Sequence, residues 1–403
     1  MSRFHVELKK VVDDSYDIEV GKNLFDTLLN DLKGKLGEGI SRYAIITDSN
    51  VKTLYGDQLL ESMLLEGFQV DLISFPAGET SKVRATKEMI EDEMLARGHR
   101  RDSCIIALGG GSSIDGAKAI REYYKNLFKA DYRDIKFYAI PTTSGTGSEV
   151  TEYAVITNKE ENLKYALADK SLLPDVAILD PELVKSVPKS ITADTGMDVI
   201  THAIEAYVSN TATDFSDALA EKALTLAYNN ILRAYNNGND IEAREGLHNA
   251  SCLAGMAFNS SGLGITHSLA HAIGGKLHIP HGKANAIILP YVMEFNSGLD
   301  NQLYMQECSE VAKKYSRLAK LLDMNANSTV IGVNNLIKNI FELQKKLNIP
   351  QTLMELGVDI NIVLGAKEEI LNAALKDICT KANPVDVSRE DLEKLLDRII
   401  GNK

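Results

Sequence analysis

The 403-residue chain has no apolar run long enough to span a bilayer, so no membrane partner is expected. Its first residues, MSRFHVELKK, have no apolar signal core, so export is not expected and the expected location is the cytoplasm. Basic residues are outnumbered: 44 Lys+Arg against 56 Asp+Glu leave a net charge of -12, which disfavours nucleic acid as a partner. Only four cysteines occur, and Cys104, Cys252, Cys308 and Cys379 are far apart with no Cys-x-x-Cys pair. That spacing disfavours a disulfide framework or a thiolate zinc site, and leaves reduced, mostly buried thiols as the expectation. There is no internal repeat, low-complexity tract or long linker.

What is present is an ordinary globular composition, 44% hydrophobic, on a chain long enough for two domains. The first half alternates strand-like and helix-like runs. Strands are expected at Tyr16–Val20, Tyr43–Thr47, Gln69–Phe75, Ser103–Leu108 and Phe137–Ile140, with helices over Val51–Gly67, Ser81–Arg97 and Ile114–Tyr124. This alternation predicts a mostly parallel sheet with helices on both faces, and ligands outside the carboxyl ends of its strands. From about Ile191 long helical patterns take over, at Asp194–Ser209, Asp214–Asn236, Ile241–Phe258 and beyond. The expected division is an α/β domain over 1–188 and an all-helical domain over 189–403.

Two loops in the first half suit a dinucleotide. Gly109, Gly110, Gly111 and Ser112 join an apolar strand to a helix. Glycines let the backbone approach a ligand closely, and a helix start offers N–H groups to a phosphate. A plain tight turn is the competing reading, and the segment is neither Gly-x-Gly-x-x-Gly nor a P-loop. Pro141 to Glu149, PTTSGTGSE, sets small hydroxyls around glycines, which suits a phosphate or nicotinamide and equally an ordinary surface loop. Asp48 ends its strand, where a carboxylate would accept from an adenosine ribose and repel a 2′-phosphate, favouring NAD over NADP. Capping the next helix is the equal alternative.

The densest chemistry lies between Gly196 and Pro290, in GMDVITHAIEAY and ITHSLAHAIGGKLHIPHGKANAIILP. Asp198 and His202 are four apart, as are His267 and His271, so each pair shares a helix face. His281 follows in a Pro-His-Gly turn. One carboxylate and three imidazoles, Asp198, His202, His267 and His281, would hold a divalent metal and leave coordination positions open, as catalytic metals require. His271 reads as a neighbour outside the ligand set. The competing reading is a surface pair at Asp198–His202 with His267 and His271 in the core. His5, His99 and His248 read as incidental, and His278 as no ligand. Phe258, Gly262 and Lys283 are close enough in sequence to line a pocket. Lys283 would attract an acidic or phosphorylated substrate unless it is a solvated loop charge.

On GGGSSIDGAKA, PTTSGTGSEVT, GMDVITHAIEAY and HSLAHAIGGKLHIPHGKANAIILP the chain resembles the iron-containing (group III) alcohol dehydrogenase family over nearly its full length. The resemblance implies an α/β dinucleotide-binding domain followed by an all-α domain, a dehydroquinate synthase-like fold, with Fe(II) or sometimes Zn(II) in the cleft. It implies metal ligation by Asp198, His202, His267 and His281, with His271 matching the family's nearby histidine; near the metal but outside its ligands, the His271 imidazole is the candidate proton relay. It implies NAD contacts from Asp48, Gly109, Gly110, Gly111, Ser112, Thr142, Thr143 and Thr146, with Lys164 and Leu179 as further contacts. PAGETSK and GGGSSID are also similar to 3-dehydroquinate synthase, which brings in Glu79, Lys82 and Asp115. That sister family supplies the competing function, a sugar-phosphate cyclase, with polyol or hydroxy-acid oxidation as a further variant. Its ligand set is one Glu and two His, so the Asp and three His here favour the dehydrogenase. The implied partners are a small alcohol or aldehyde and a second copy of the chain, as a homodimer or larger assembly.

Overall fold

A computed structural model describes residues 14–34, 37–131, 134–158, 163–299 and 308–401. Six strands form one sheet: β1 (Asp17–Val20), β2 (Arg42–Asp48), β3 (Val70–Phe75), β4 (Ser103–Gly109), β5 (Lys136–Pro141) and β8 (Val176–Leu179). Its order is β1-β8-β5-β4-β2-β3 and every pairing is parallel. Two further strands, β6 (Tyr153–Asn158) and β7 (Leu163–Ala168), make a separate antiparallel hairpin. Helices α1 (Leu24–Lys33), α2 (Ser49–Val51), α3 (Asp57–Leu65), α4 (Arg84–Ala96) and α5 (Gly111–Phe128) connect the sheet strands.

The period of two along each strand sends alternate residues to opposite faces. Ile45, Ile106, Leu108 and Ile140 join Leu28, Leu59 and Met63 from α1 and α3 in one apolar cluster. Ala44, Ile46, Ile105 and Ala107 join Ile90, Met94, Ile114 and Ala117 from α4 and α5 in another. Covering both faces explains why β4 is buried at every position and reads as a continuous apolar run. It also aligns the strand ends that matter. Thr47 pairs with Leu108 and Gly109 with Pro141, so Asp48, the glycine loop and the Pro141 loop emerge side by side at the carboxyl edge.

The second half is helical: α6 (Lys189–Val208), α7 (Asp214–Asn236), α8 (Ile241–Ser261), α9 (Ile265–Leu277), α10 (His281–Ser297), α11 (Glu310–Leu321), α12 (Thr329–Lys346), α13 (Ile360–Lys376) and α14 (Arg389–Ile400). Their apolar faces share one cluster. No helix among the described residues is long and apolar enough to cross a membrane. The five expected strands are present. β8 and the β6–β7 hairpin are additions. The helix expected to begin at Ile114 begins at Gly111, because the glycine loop itself supplies the first turn, with Gly110 as N-cap. The helix expected over 51–67 is interrupted by a wider turn at Lys52–Gly56.

Candidate metal and dinucleotide site

Asp198, His202, His267 and His281 come together, each offering one ligand atom within 4.8 Å of the others. Asp198 Oδ1 lies 3.8 Å from both His267 Nε2 and His281 Nε2. The His202 and His267 rings stack at 4.6 Å. Three elements deliver these groups. α6 packs against α7, α8 and α10 and is buried along most of its length, so its polar face points into protein. α9 carries His267 at its third residue. His281 opens α10 rather than sitting in a turn, because Pro280 caps that helix and Gly282 presses against α6. A Cβ on Gly282 would fall 2.3 Å from the Asp194 carbonyl oxygen.

Buried histidines in a core are satisfied by hydrogen bonds. His267 is 1% exposed, and its Nε2 has no hydrogen-bond partner. Its other nitrogen, Nδ1, contacts Glu205 Oε2 at 2.7 Å. A carboxylate on one ring nitrogen fixes the ring and directs the other nitrogen outward, which is the usual support of a metal-ligating histidine. Glu205 also accepts from the backbone N–H of Gly264 and Thr266, so it ties α6 to the start of α9. Burial alone would raise Glu205, but His267 and these N–H donors outweigh it and hold the carboxyl below its usual range. Burial likewise opposes a proton on His267, yet Glu205 prevails and its pKa is raised. Burial, then the His267 ring, pushes His202 well below the usual imidazole value, so it stays neutral as a ligand must. Nitrogen and oxygen donors without thiolate fit Fe(II), Zn(II), Mn(II) or Co(II).

His271 lies outside this group. Its ring stacks on His281 at 5.2 Å, and its Nδ1 meets Asp377 Oδ2 at 2.8 Å. The other Asp377 oxygen accepts from the Cys379 N–H. Burial raises Asp377, but His271 and that N–H outweigh it and hold the carboxyl at about 2. Asn285 is a further participant: its Nδ2 donates to Asp198 Oδ1 at 2.6 Å and lies 3.2 Å from His281 Nε2. Glu205, Asn285 and Asp377 escaped the sequence reading. Two had a local signal, since Glu205 extends Asp198 and His202 along one helix face and Asn285 is four residues after His281. Asp377 is 106 residues from His271 and had none.

The two expected dinucleotide loops form one surface. Gly109 ends β4 at φ +154°, and a Cβ there would fall 2.3 Å from Ser113 Oγ. Thr142 N–H donates to the Gly109 carbonyl at 3.0 Å. Gly110 and Gly111 approach Thr143 and Thr146 so closely that added Cβ atoms would lie 3.0 Å and 2.8 Å from them. Ser112 stands in the first turn of α5, which has no side-chain cap and so offers amide N–H groups outward. This surface reaches the metal helix, because a Cβ on Gly145 would fall 2.7 Å from Thr195, three residues before Asp198. Ser144 Oγ meets His248 Nδ1 of α8 at 3.0 Å, so His248 is a buried strut rather than incidental.

Asp48 caps α2, its Oδ1 accepting from the N–H of Asn50 and Val51. Its Oδ2 faces the glycine loop, 3.7 Å from where a Gly109 Cβ would stand. Lys82 and Asp115 are turned toward each other at 2.5 Å. Asp115 also accepts from Ser148 Oγ and Val155 N–H, so its oxygens serve protein groups first. Leu179 is packed in the core beside Val150, Ala177 and Cys252. The side chains of Glu79 and Lys164 lie outside the described residues; the Lys164 backbone pairs with Thr157 in the hairpin. Lys283 is not a solvated loop charge: its Nζ stands 3.6 Å from Asp194 Oδ2.

Comparison with known proteins places these features. Residues 17–181 match a family described as iron-containing alcohol dehydrogenase, and residues 192–400 match the Fe-containing alcohol dehydrogenase family, C-terminal. The chain is 38% identical to an NADPH-dependent butanol dehydrogenase of Clostridium saccharobutylicum, over 94% of this chain and 95% of that protein. It is 42% identical to a 1-propanol dehydrogenase of Citrobacter freundii, over 74% of this chain and 78% of that one. Its fold matches the iron-containing alcohol dehydrogenase of Thermococcus thioreducens with a TM-score of 0.83 at 29% identity, covering 96% and 99% of the two chains.

Proposed function

The chain belongs to the iron-containing alcohol dehydrogenase family, and on that premise we infer that it interconverts a small primary alcohol or diol and its aldehyde, with NAD(H) as hydride carrier. One observation carries the reading: the four-donor cluster on α6, α9 and α10 stands next to the surface made by the glycine and threonine loops. Asp198, His202, His267 and His281 would hold a divalent cation, which would supply Lewis-acid polarisation of the substrate oxygen, and the two loops would hold a nicotinamide dinucleotide, which would supply the hydride chemistry.

The protein groups have separable tasks. Glu205 holds His267 in one tautomer, so Nε2 is always the outward atom. Asn285 steadies the Asp198 carboxylate. Asp377 occupies His271 Nδ1, which leaves Nε2 as the atom that passes the alcohol proton to solvent. Gly109, Gly110, Gly111 and Ser112 provide the close backbone and helix start for a pyrophosphate, and Thr142, Thr143 and Thr146 border the nicotinamide side. Asp48 Oδ2 beside the glycine loop favours NAD over NADP by repelling a 2′-phosphate. The NADPH dependence of the Clostridium butanol dehydrogenase makes this the sharper part of the proposal. Fe(II) is the proposed resident metal, and Zn(II) its competitor in vitro by the usual affinity order. The proposed division is 1–188 for the dinucleotide and 189–403 for the metal, in a cytoplasmic homodimer or larger assembly.

The test is a screen of primary alcohols, diols and hydroxy acids on metal-reconstituted protein, reading net NADH or NADPH. Net NADH from a primary alcohol, with a higher kcat/KM for NAD than for NADP, is the expected result. No net reduced dinucleotide from any alcohol would point instead to a cyclase that recycles its NAD.

A further inference from the structure

Exposure around the donor cluster rises toward the start of α10. The side chains of Asp198 and His267 are 3% and 1% exposed, whereas His281 and Lys283 are each 24% exposed and Asp194 is 14% exposed. The mouth of the site therefore lies at the start of α10 and the first turns of α6. One face of α6 runs through it: Ile191, Asp194, Asp198 and His202 recur at helical spacing, passing from an exposed residue to buried ones. Asp194 is four residues from Asp198, about 6 Å along the axis. Lys283, two residues after His281, brings its Nζ to 3.6 Å from Asp194 Oδ2. Asp194 is the acidic partner of that ammonium among the described residues.

A lone ammonium one helical turn from the donor cluster would draw anionic substrates into the mouth, because a charge in a concave, poorly solvated place focuses its field there. A carboxylate paired with it cancels that field at short range. The packing makes the pair a fixed feature, since Gly282, which lacks a Cβ, lies directly on the Asp194 carbonyl and sets α10 against α6.

We propose that Asp194 masks Lys283, and that this ion pair makes the site prefer uncharged alcohols to carboxylate-bearing ones of the same length. The proposal rests on the alcohol-oxidising reading above. It assigns substrate-charge selectivity to two residues that ligate nothing. Unmasked, Lys283 would receive the far carboxylate of a short hydroxy acid while the hydroxyl end reaches the donor cluster.

The experiment compares 4-hydroxybutanoate with 1-butanol in the metal-reconstituted full chain. Two readouts are taken: the ratio of kcat/KM values, and the ratio of Kd values by calorimetry without dinucleotide. Asp194→Asn keeps the side-chain shape and removes the charge, and should shift both ratios toward 4-hydroxybutanoate by about tenfold. Lys283→Ala leaves Asp194 facing the mouth and should shift both ratios the other way, by about threefold. The double variant Asp194→Asn/Lys283→Ala should return near the wild-type ratio. Unchanged ratios in a folded, metal-loaded Asp194→Asn chain overturn the proposal, as does a gain that survives in the double variant. If Asp194→Asn does not fold, an unchanged ratio in Lys283→Ala overturns it alone. A wild-type chain that does not oxidise 1-butanol defeats the alcohol-oxidising reading, while the Kd ratios still decide the masking.

Discussion

Two of the buried polar clusters among the described residues are built on opposite plans. In the first, Lys118 Nζ donates to Thr151 O, Thr151 Oγ1 and Tyr153 O, using all three of its donors. Asp115 accepts from Lys82, Ser148 and Val155. In the second, Asp198, His202, His267 and His281 converge, and His267 Nε2 is buried without a hydrogen-bond partner. Both are expensive to bury. The first closes on itself and binds the hairpin and the Ser148 turn to α5. The second is held from behind, by Glu205 and Asn285, and turns its donor atoms toward each other. Saturation marks a strut; convergent, supported and unsaturated donors mark a site.

The largest expected effect breaks the strut. Asp115→Ala leaves the buried Lys118 ammonium and the partly buried Lys82 ammonium without their shared carboxylate and should cost about 3–5 kcal/mol of stability. Urea unfolding measures it, and protein that remains folded should still bind metal. A loss below about 1 kcal/mol would mean the cluster is not a strut.

His248 sharpens the comparison, because it too has a buried nitrogen, Nε2, without a partner. It belongs to no group of three or more metal-ligating side chains among the described residues, so by this account it binds no cation. It should show instead in acid. Burial holds its folded pKa at about 4, against 6.5 for the ordinary group. Between those values the unfolded chain takes up a proton that the folded chain refuses. Stability should therefore fall as the pH drops from 6.5 to about 4, by up to about 3 kcal/mol from this residue. His248→Gln should flatten that part of a stability-against-pH curve, and an unchanged slope would contradict the assignment.

His271→Ala should lower turnover about 10²-fold with metal content unchanged, if its Nε2 carries the proton. Full turnover would remove the relay. Glu205→Gln keeps the shape but weakens the hold on His267, and should reduce metal affinity about 10- to 100-fold, read by chelator competition. An unaltered affinity would place Glu205 with the struts.

Legibility followed locality. The metal ligands sit in short motifs at helical spacing, and the glycine loop follows an apolar strand, so both stood out. The strands buried on both faces, such as Ser103–Gly109, are continuous apolar runs and were equally plain. β8 is only four residues, and the β6–β7 hairpin brackets the charged stretch at 159–162, which masked its alternation. Lys82 and Asp115 are legible as candidate dinucleotide contacts from their motifs, but not as partners of other protein groups. Their partners, Ser148 and Val155, come from a turn and a hairpin 33 and 40 residues from Asp115. The Asp377–His271 and Lys283–Asp194 pairs are tertiary in the same way, and each changes what its conspicuous partner can do.

The central claim is that the unsaturated cluster is a cation site on which alcohol oxidation depends. The direct measurement is activity during titration of metal-free protein with Fe(II) or Zn(II) under anaerobic conditions. The account predicts negligible activity at the start, a linear rise that saturates at about one equivalent per chain, and no rise in an Asp198→Ala/His267→Ala chain. Full activity in the metal-free protein, or the same saturation in that variant, would contradict it.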